Sequence, residues 1–350
     1  MIRVGVVGAG IWGTMHARAY AQNPLAELVG VCDLDEGQAR KVAETYAIPK
    51  VFTDVDRLLD QDLDGISVAT PDNAHTAIVL KAAARGVHIL VEKPLATTVD
   101  ECQAMLAAAE KAGVFLMVDW HNRWNPPIYY AWKSIQSGEL GEVRYIYYRL
   151  SDTVYVPLKM LPWADQSSVM WFLGSHALDT VCWLVGKKPV RVYCQKRQQV
   201  LPGMGVNTPD LYVTMLEFEG GSLAVIENTW ILPQQSPSLI DHKVEILGSL
   251  GAIYLDPTHH GAFAKYSPET AAGFPNPSYP DLFVTPEVYS KQMGFAVESM
   301  HHFVDCIREH TPPLASGADG LLNTRLILAA EQSARSGIPV DLAEDKNGKT

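Results

Sequence analysis

Cysteine is scarce: Cys32, Cys102, Cys182, Cys194 and Cys306 make five, an odd number with no Cys-x-x-Cys pair. That spacing excludes a paired-thiol metal site and predicts buried free thiols in a reducing compartment. Basic residues are also short, 28 Lys and Arg against 39 Asp and Glu, for a formal net charge of -11. Nucleic acid and anionic membranes both need a basic surface, so neither is expected as a partner. An anionic cofactor is not excluded, because a helix N-terminus supplies local positive potential. No apolar run reaches the roughly 18 to 20 residues that span a bilayer. The first strand pattern begins at Ile2, which leaves nothing that reads as a signal peptide. A soluble cytoplasmic protein is expected. H-E-x-x-H, recurrent His/carboxylate spacing and G-x-S-x-G are all missing, so neither a metal nor a serine nucleophile is expected. Asn207-Thr208-Pro209 is not a glycosylation sequon.

What is present is apolar and well punctuated. Of 350 residues, 47% are apolar and 19% charged, enough to build about two domain cores. Short apolar runs alternate with helix patterns at first. Strands are predicted over 2–7, 27–32, 65–69, 87–91 and 114–118, with helices from about 12, over 36–46, about 73–85 and 98–111. Repeated strand-helix-strand units imply a parallel sheet covered on both faces. After about Trp120 the pattern changes. Strands over 143–150, 190–195, 211–218, 223–230, 244–247 and 252–255 are joined by short turns, Gly220-Gly221 among them, which suggests an antiparallel sheet. Helices are predicted over about 167–184, 295–308 and 320–335. The proline-rich stretch 266–286 reads as an excursion loop. The expected division is a dinucleotide-binding domain at 1–121, an α+β domain at 122–342 and a flexible tail at 343–350. The closing helix near 320–336 is expected to pack back toward the first domain.

Gly8-Ala9-Gly10-Ile11-Trp12-Gly13 follows the first strand directly and opens a helix, the context that gives G-x-G-x-x-G meaning. Gly8 makes the tight turn, Gly10 lets the backbone approach a pyrophosphate, and Gly13 lets the helix pack on the strand. The N–H groups of the first helical turn, at Ile11 and Trp12, face the phosphates. Asp33 stands about 20 residues after Gly13 at the end of the second strand. A carboxylate there accepts from both adenosine ribose hydroxyls and repels a 2′-phosphate. Leu34 is placed to cover the adenine, and the nearest following cation, Arg40, is well into the next helix. NAD is favoured, with NADP as the alternative.

The fourth strand ends in Val91-Glu92-Lys93-Pro94. In this setting the Glu-Lys-Pro triplet resembles the signature of the glucose-fructose oxidoreductase / inositol dehydrogenase / rhizopine catabolism (Gfo/Idh/MocA) family. Ala69-Thr70-Pro71-Asp72-Asn73-Ala74-His75 resembles the family's loop after the third strand. Arg123-Trp124-Asn125-Pro126 with Gly138-Glu139-Leu140-Gly141 resembles its lead into the second domain, and Gly174-Ser175-His176 with Asp179 its catalytic helix. The resemblance runs from Ile2 to about Leu342. It implies a Rossmann domain plus a C-terminal α/β domain with a large, mostly antiparallel open sheet, whose open face makes homodimers or homotetramers. It implies NAD(P)-dependent oxidation or reduction of a sugar, inositol or nucleotide-sugar carbon. Thr70, Pro71, Asn73, His75, Glu92 and Lys93 then join the cofactor contacts.

Hydride transfer from a secondary alcohol needs a group to take the hydroxyl proton and charge to steady an alkoxide-like transition state. Lys93 is expected at the carboxyl end of a parallel strand, the edge where such sheets bind ligands. The resemblance gives it and His176 the catalytic roles, and imidazole is the usual proton carrier near neutral pH. One departure stands out. The family often has an aspartate four residues before the histidine, where this chain has Phe172. Asp179, three residues after His176, shares its side of the helix. Three readings are open: Lys93 and His176 alone carry the reaction, the substrate supplies a polar group, or the chain has become a sensor. The expected substrate face comprises His121, Arg123, Trp124, Tyr155, Trp163, Phe172 and Asp179, with Trp120 and Trp171 nearby. Trp and Tyr stack on sugar C–H faces while polar groups bind hydroxyls, and half or more of these aromatics are expected to be core. Phe172 as a pocket wall favours a glycoside or modified sugar over free inositol. His259-His260 and His301-His302 read as structural. The rivals are a redox-neutral NAD enzyme acting on glycosides and a dinucleotide-binding regulator.

Overall fold

The computed structural model describes residues 1–258 and 281–342. They fall into two units, one holding Met1–Asn125 and Asp281–Arg325, the other starting at Pro126 and resuming at Leu326. His259, His260, most of the 266–286 stretch and the 343–350 tail lie outside the described residues.

In the first unit, strands β1 (Ile2–Val7), β2 (Ala26–Cys32), β3 (Val51–Phe52), β4 (Gly65–Val68), β5 (His88–Val91) and β6 (Leu116–Val118) form one sheet in the order β3-β2-β1-β4-β5-β6. Every pairing is parallel. Helices α1 (Ile11–Gln22), α2 (Glu36–Tyr46), α3 (Val55–Leu59), α4 (His75–Ala84) and α5 (Val99–Ala112) alternate with the strands. Side chains along a strand point to opposite faces, and here both faces are buried. Val4 and Val6 enter one apolar cluster with Ala17, Tyr20 and Phe303. Val7, Val68 and Val91 enter the other with Ile78, Val79 and Met105. Local signals set the helix ends. Asp35 accepts from the N–H groups of Gly37 and Gln38 at the start of α2, and Thr98 accepts from Glu101 N–H at the start of α5. Gly113 ends α5 at φ 67°, a conformation glycine adopts without steric cost. The order reverses between β1 and β4, which places the ligand crevice of such a sheet at their carboxyl ends.

The second unit carries helix α6 (Pro126–Gln136), strands β7 (Val143–Asp152), β8 (Pro189–Arg197), β9 (Leu211–Phe218), β10 (Leu223–Thr229), β11 (Ile240–Gly248) and β12 (Ala252–Leu255), and helices α7 (Ser175–Val185) and α8 (Val200–Gly203). The chain then returns to the first unit with strands β13 (Glu287–Val288) and β14 (Lys291–Gln292) and helix α9 (Phe295–Glu309). Helix α10 (Gly317–Ser336) leads back to the second unit, where β15 (Val340–Asp341) closes the chain's second sheet. That sheet has the order β12-β11-β7-β10-β9-β8-β15. It is antiparallel apart from β7 against β10. One face is buried, through Ile146, Tyr148, Tyr212, Leu216, Ile226 and Val244. The other presents Val213, Leu247 and Tyr254, all exposed, beside an Arg149–Glu227–Asp241 ion-pair group. This is the alternation of a sheet packed on one side only.

Two expectations need revision. The helix expected over 167–184 runs over 170–185 but opens with a π turn (Met170–Gly174) ahead of α7, and a 3-10 turn (Ala164–Gln166) precedes it. Ser168 holds the wider turn, its hydroxyl accepting from Trp171 N–H and its carbonyl from Phe172 N–H. Trp120 is 1% exposed, a core side chain and not part of a binding face. Among the described residues no helix is long and apolar enough to cross a membrane.

Candidate active site

The glycine turn has the geometry that its spacing implies. A Cβ on Gly13 would lie 1.9 Å from the Gly8 carbonyl oxygen, and one on Gly8 2.3 Å from that of Ala69. These two glycines are required by backbone packing. A Cβ on Gly10 would meet nothing within 4 Å, so this glycine faces open space where a ligand approaches. Gly10 is the N-cap of α1, no side chain caps the first turn and no acid lies in it. Ile11 is exposed and Trp12 half-buried. This helix start can receive a pyrophosphate through its backbone N–H groups. Asp33 accepts from Ala9 N–H at 2.6 Å and Asp35 N–H at 2.8 Å, which ties the end of β2 to the glycine turn. Leu34 beside it is 94% exposed, an apolar surface free to cover a base. Arg40, the nearest following cation in the sequence, pairs with Glu36. These residues fit a dinucleotide whose ribose meets Asp33.

On the other side of β1, Thr70, Pro71 and Asn73 form the loop after β4, with Asn73 and Pro71 exposed and the Thr70 hydroxyl buried without a hydrogen bond among the described residues. His75 is 1% exposed. One of its ring nitrogens lies 2.9 Å from the Thr70 carbonyl, the other 3.1 Å from that of Pro94. It therefore braces the β4 loop against the segment after β5. There Glu92 is buried and Lys93 half-buried, and the Lys93–Pro94 bond is cis. His121 is buried after β6, its ring stacked on Trp12 at 5.4 Å. Arg123 is buried too, its guanidinium bonded to the Leu314 carbonyl and paired with Asp319 at 3.3 Å. Trp124 packs on His302 at 5.1 Å.

Residues not singled out from sequence complete this end of the sheet. His16, Ser67, Asp119 and Ser299 are all fully buried. His16 lies 3.0 Å from both Ser67 and Glu92, and 3.7 Å from Asp119. Ser299 donates to Asp119. The available signal was positional: His16 falls on the buried face of α1, three residues after Gly13, and Asp119 ends an apolar strand.

In the second unit His176 opens α7 directly after the π turn, 7% exposed, and its carbonyl accepts from the Thr180 hydroxyl at 2.9 Å. Turns of this kind occur often at functional sites. Asp179 is buried at 4% exposure. It faces Tyr148, whose phenol is held protonated by burial first, with the Asp179 charge adding to that. Phe172 belongs to an aromatic group, its ring 6.0 Å from Trp163 and 5.8 Å from the buried Trp230. Trp163 and Tyr155 are 37% and 40% exposed. Trp171 lines a cavity of about 280 Å³ with Lys196, Tyr212 and Glu331. The position four before His176 thus belongs to an aromatic wall.

Comparison with known proteins agrees with these features. The family profile described as an oxidoreductase family with an NAD-binding Rossmann fold matches residues 2–120, and the Gfo/Idh/MocA C-terminal domain profile matches 128–254. The scyllo-inositol 2-dehydrogenase (NAD(+)) of Bacillus subtilis (strain 168) is 28% identical over 346 residues, covering 97% of this chain and 96% of that protein. An uncharacterized oxidoreductase of Streptococcus pneumoniae serotype 4 is 30% identical over 271 residues, covering 73% and 69%. The crystal structure of GenD2, from gentamicin A biosynthesis and in complex with NAD, superposes with a TM-score of 0.85 at 24% identity, covering 98% and 97% of the two chains. The first unit is an NAD-binding domain, and the chain belongs to the Gfo/Idh/MocA family of oxidoreductases.

Proposed function

We propose that this chain is a dehydrogenase or reductase that moves a hydride between NAD and a secondary hydroxyl, or the matching ketone, of a sugar, glycoside or inositol. The observation that carries the reading is Lys93 at the carboxyl end of β5, in a segment braced by His75 within an NAD-binding domain. NAD supplies the hydride acceptor. Lys93 holds the reacting oxygen and stabilises negative charge on it. His176 takes the hydroxyl proton in oxidation and returns it in reduction. The similarity to a scyllo-inositol dehydrogenase supports a polyhydroxylated substrate. The Tyr155, Trp163 and Phe172 aromatics supply flat apolar surface for sugar C–H groups, which favours a glycoside or modified sugar over free inositol. Asp179 and His121 are the polar contacts in this reading. Arg123 is left out, because Asp319 already engages its guanidinium.

The second unit is the substrate domain in this reading, and the open face of its sheet joins copies into a homodimer or homotetramer in the cytoplasm. Exposed Val213, Leu247 and Tyr254 on that face support self-association, since a second copy would remove apolar surface from water.

A panel of sugars, inositols and glycosides, assayed for NADH formation, tests the activity. With the best substrate, Lys93→Ala and His176→Ala are each expected to lower turnover by at least about 10²-fold while NADH still binds. Turnover near wild type in both variants rejects the assignment.

A further inference from the structure

Beneath the carboxyl ends of β4, β5 and β6 lies a cluster of ionisable groups of which the hydride-transfer reading uses only His121. Five elements of the first unit contribute: His16 and Tyr20 from α1, Ser67 from β4, Glu92 at the end of β5, Asp119 and His121 after β6, and Ser299 from α9. His16, Tyr20, Ser67, Asp119 and Ser299 are completely out of solvent, and Glu92 and His121 are 5% and 6% exposed. Burying two carboxylates is costly unless each is bonded or paired, so their arrangement calls for a physical account.

Hydrogen bonds link the cluster. Burial keeps the Tyr20 phenol protonated, and its oxygen lies 2.6 Å from Ser67 Oγ. Ser67 Oγ lies 3.0 Å from His16 Nδ1, and His16 Nε2 lies 3.0 Å from Glu92 Oε1. Asp119 is ionised. Burial resists this, but the bond and charge of His121, together with His16 and Ser299, hold its carboxyl below the usual carboxylate range. Glu92 and Asp119 thus place two carboxylates together, around His16, at the carboxyl ends of β5 and β6. Lys93 follows Glu92 on the ligand side of the sheet.

The cofactor's orientation follows from the fold. Asp33 at the end of β2 takes the adenosine ribose and the turn after β1 takes the pyrophosphate, so the nicotinamide half runs over the ends of β4 and β5. Trp12, in the pyrophosphate turn, stacks on His121 of the cluster. We propose that this buried His–carboxylate cluster is a charge-setting element for the cofactor: Glu92 and Asp119 bias the domain toward NAD+, whose nicotinamide ring is cationic, over NADH, whose ring is neutral. His16 is a positioning residue that fixes the Glu92 carboxylate at the sheet end. One charge acting through a partly buried medium over a few side-chain lengths changes an affinity roughly tenfold.

The proposal rests on NAD binding by the first unit and not on the identity of the substrate. It is tested on the full chain by calorimetric titration with NAD+, NADH and ADP-ribose, which keeps the nucleotide half and lacks nicotinamide. Asp119→Asn, which removes one negative charge at nearly constant shape, is expected to weaken NAD+ about tenfold and leave NADH and ADP-ribose unchanged. Glu92→Gln is expected to act in the same direction, and carries the test if Asp119→Asn does not fold. His16→Gln, which leaves both carboxylates in place, is expected to keep the ratio of NAD+ to NADH affinity. Equal losses for all three ligands in both carboxylate variants, an unchanged ratio in both, or an equal shift in His16→Gln overturns the proposal.

Discussion

The two sheets solve the burial of polar groups differently. In the first unit both faces of a parallel sheet are covered, and its ionisable side chains collect at strand ends in a bonded cluster of His16, Glu92 and Asp119. In the second unit one face stays open, and the covered face holds an isolated histidine. His242 is buried against the Tyr148 ring, and its Nε2 has no hydrogen-bond partner among the described residues. The parallel sheet delivers its chemistry through backbone: glycine turns and strand ends. The mixed sheet delivers it through side chains on a helix and on 3-10 and π turns. A paired cluster retains charge in the interior, whereas an isolated group is driven neutral.

The sharpest way to break this contrast is at the glycine turn. Gly13→Ala puts a Cβ 1.9 Å from the Gly8 carbonyl oxygen. It is expected to cost about 1–3 kcal/mol of stability and about a hundredfold in NADH affinity, by thermal melting and fluorescence titration. Gly10→Ala meets no atom within 4 Å, so it is expected to keep the melting temperature and lose NADH affinity alone. If both variants melt like wild type, the packing role of Gly13 is wrong.

A middle-sized effect is expected in the second unit. Phe172→Ala removes a ring packed between Trp163 and Trp230, contacts of about 0.5–1.5 kcal/mol for each aromatic pair. KM for the sugar substrate is expected to rise about tenfold with NADH affinity unchanged. A fall in NADH affinity of the same size would show that the aromatic wall serves the cofactor.

The smallest effect concerns His242. Burial pushes its pKa down to about 4, against a weaker opposing pull from Asp256, while in the unfolded chain it takes up a proton near pH 6.5. The unfolded chain binds more protons between those values. The stability that neutral His242 confers is therefore whole above about pH 6.5 and lost as pH falls to about 4. His242→Gln is expected to flatten the dependence of Tm on pH in that window, by at most about 1.4 kcal/mol per pH unit. An unaltered slope would place the acid sensitivity elsewhere.

Much of the first unit was legible because its signals are local. Gly13, packed on the Gly8 carbonyl, and the helix ends at Thr98 and Gly113 are each set by neighbours a few residues away. Short elements such as β3, α3 and α6 were not anticipated, since two to eleven residues carry little periodicity. The parallel pairing of β7 with β10 was not legible either, because those strands are far apart in the chain. The helix expected over 167–184 is present over most of that range, but its π opening was not legible, because a single wider turn has no period of its own in the sequence.

By itself the sequence determined the dinucleotide turn, the preference for NAD at Asp33, the family and the two kinds of sheet. Steric demand at a glycine and the period of apolar residues are properties of short segments, readable without knowing what lies across from them. Only the tertiary structure decided that His16, Ser67, Glu92, Asp119 and Ser299 meet, that Arg123 is held by Asp319, and that Phe172 stands in an aromatic wall. Those facts depend on contacts between residues up to about two hundred positions apart, and burial then decides which of the charges survive.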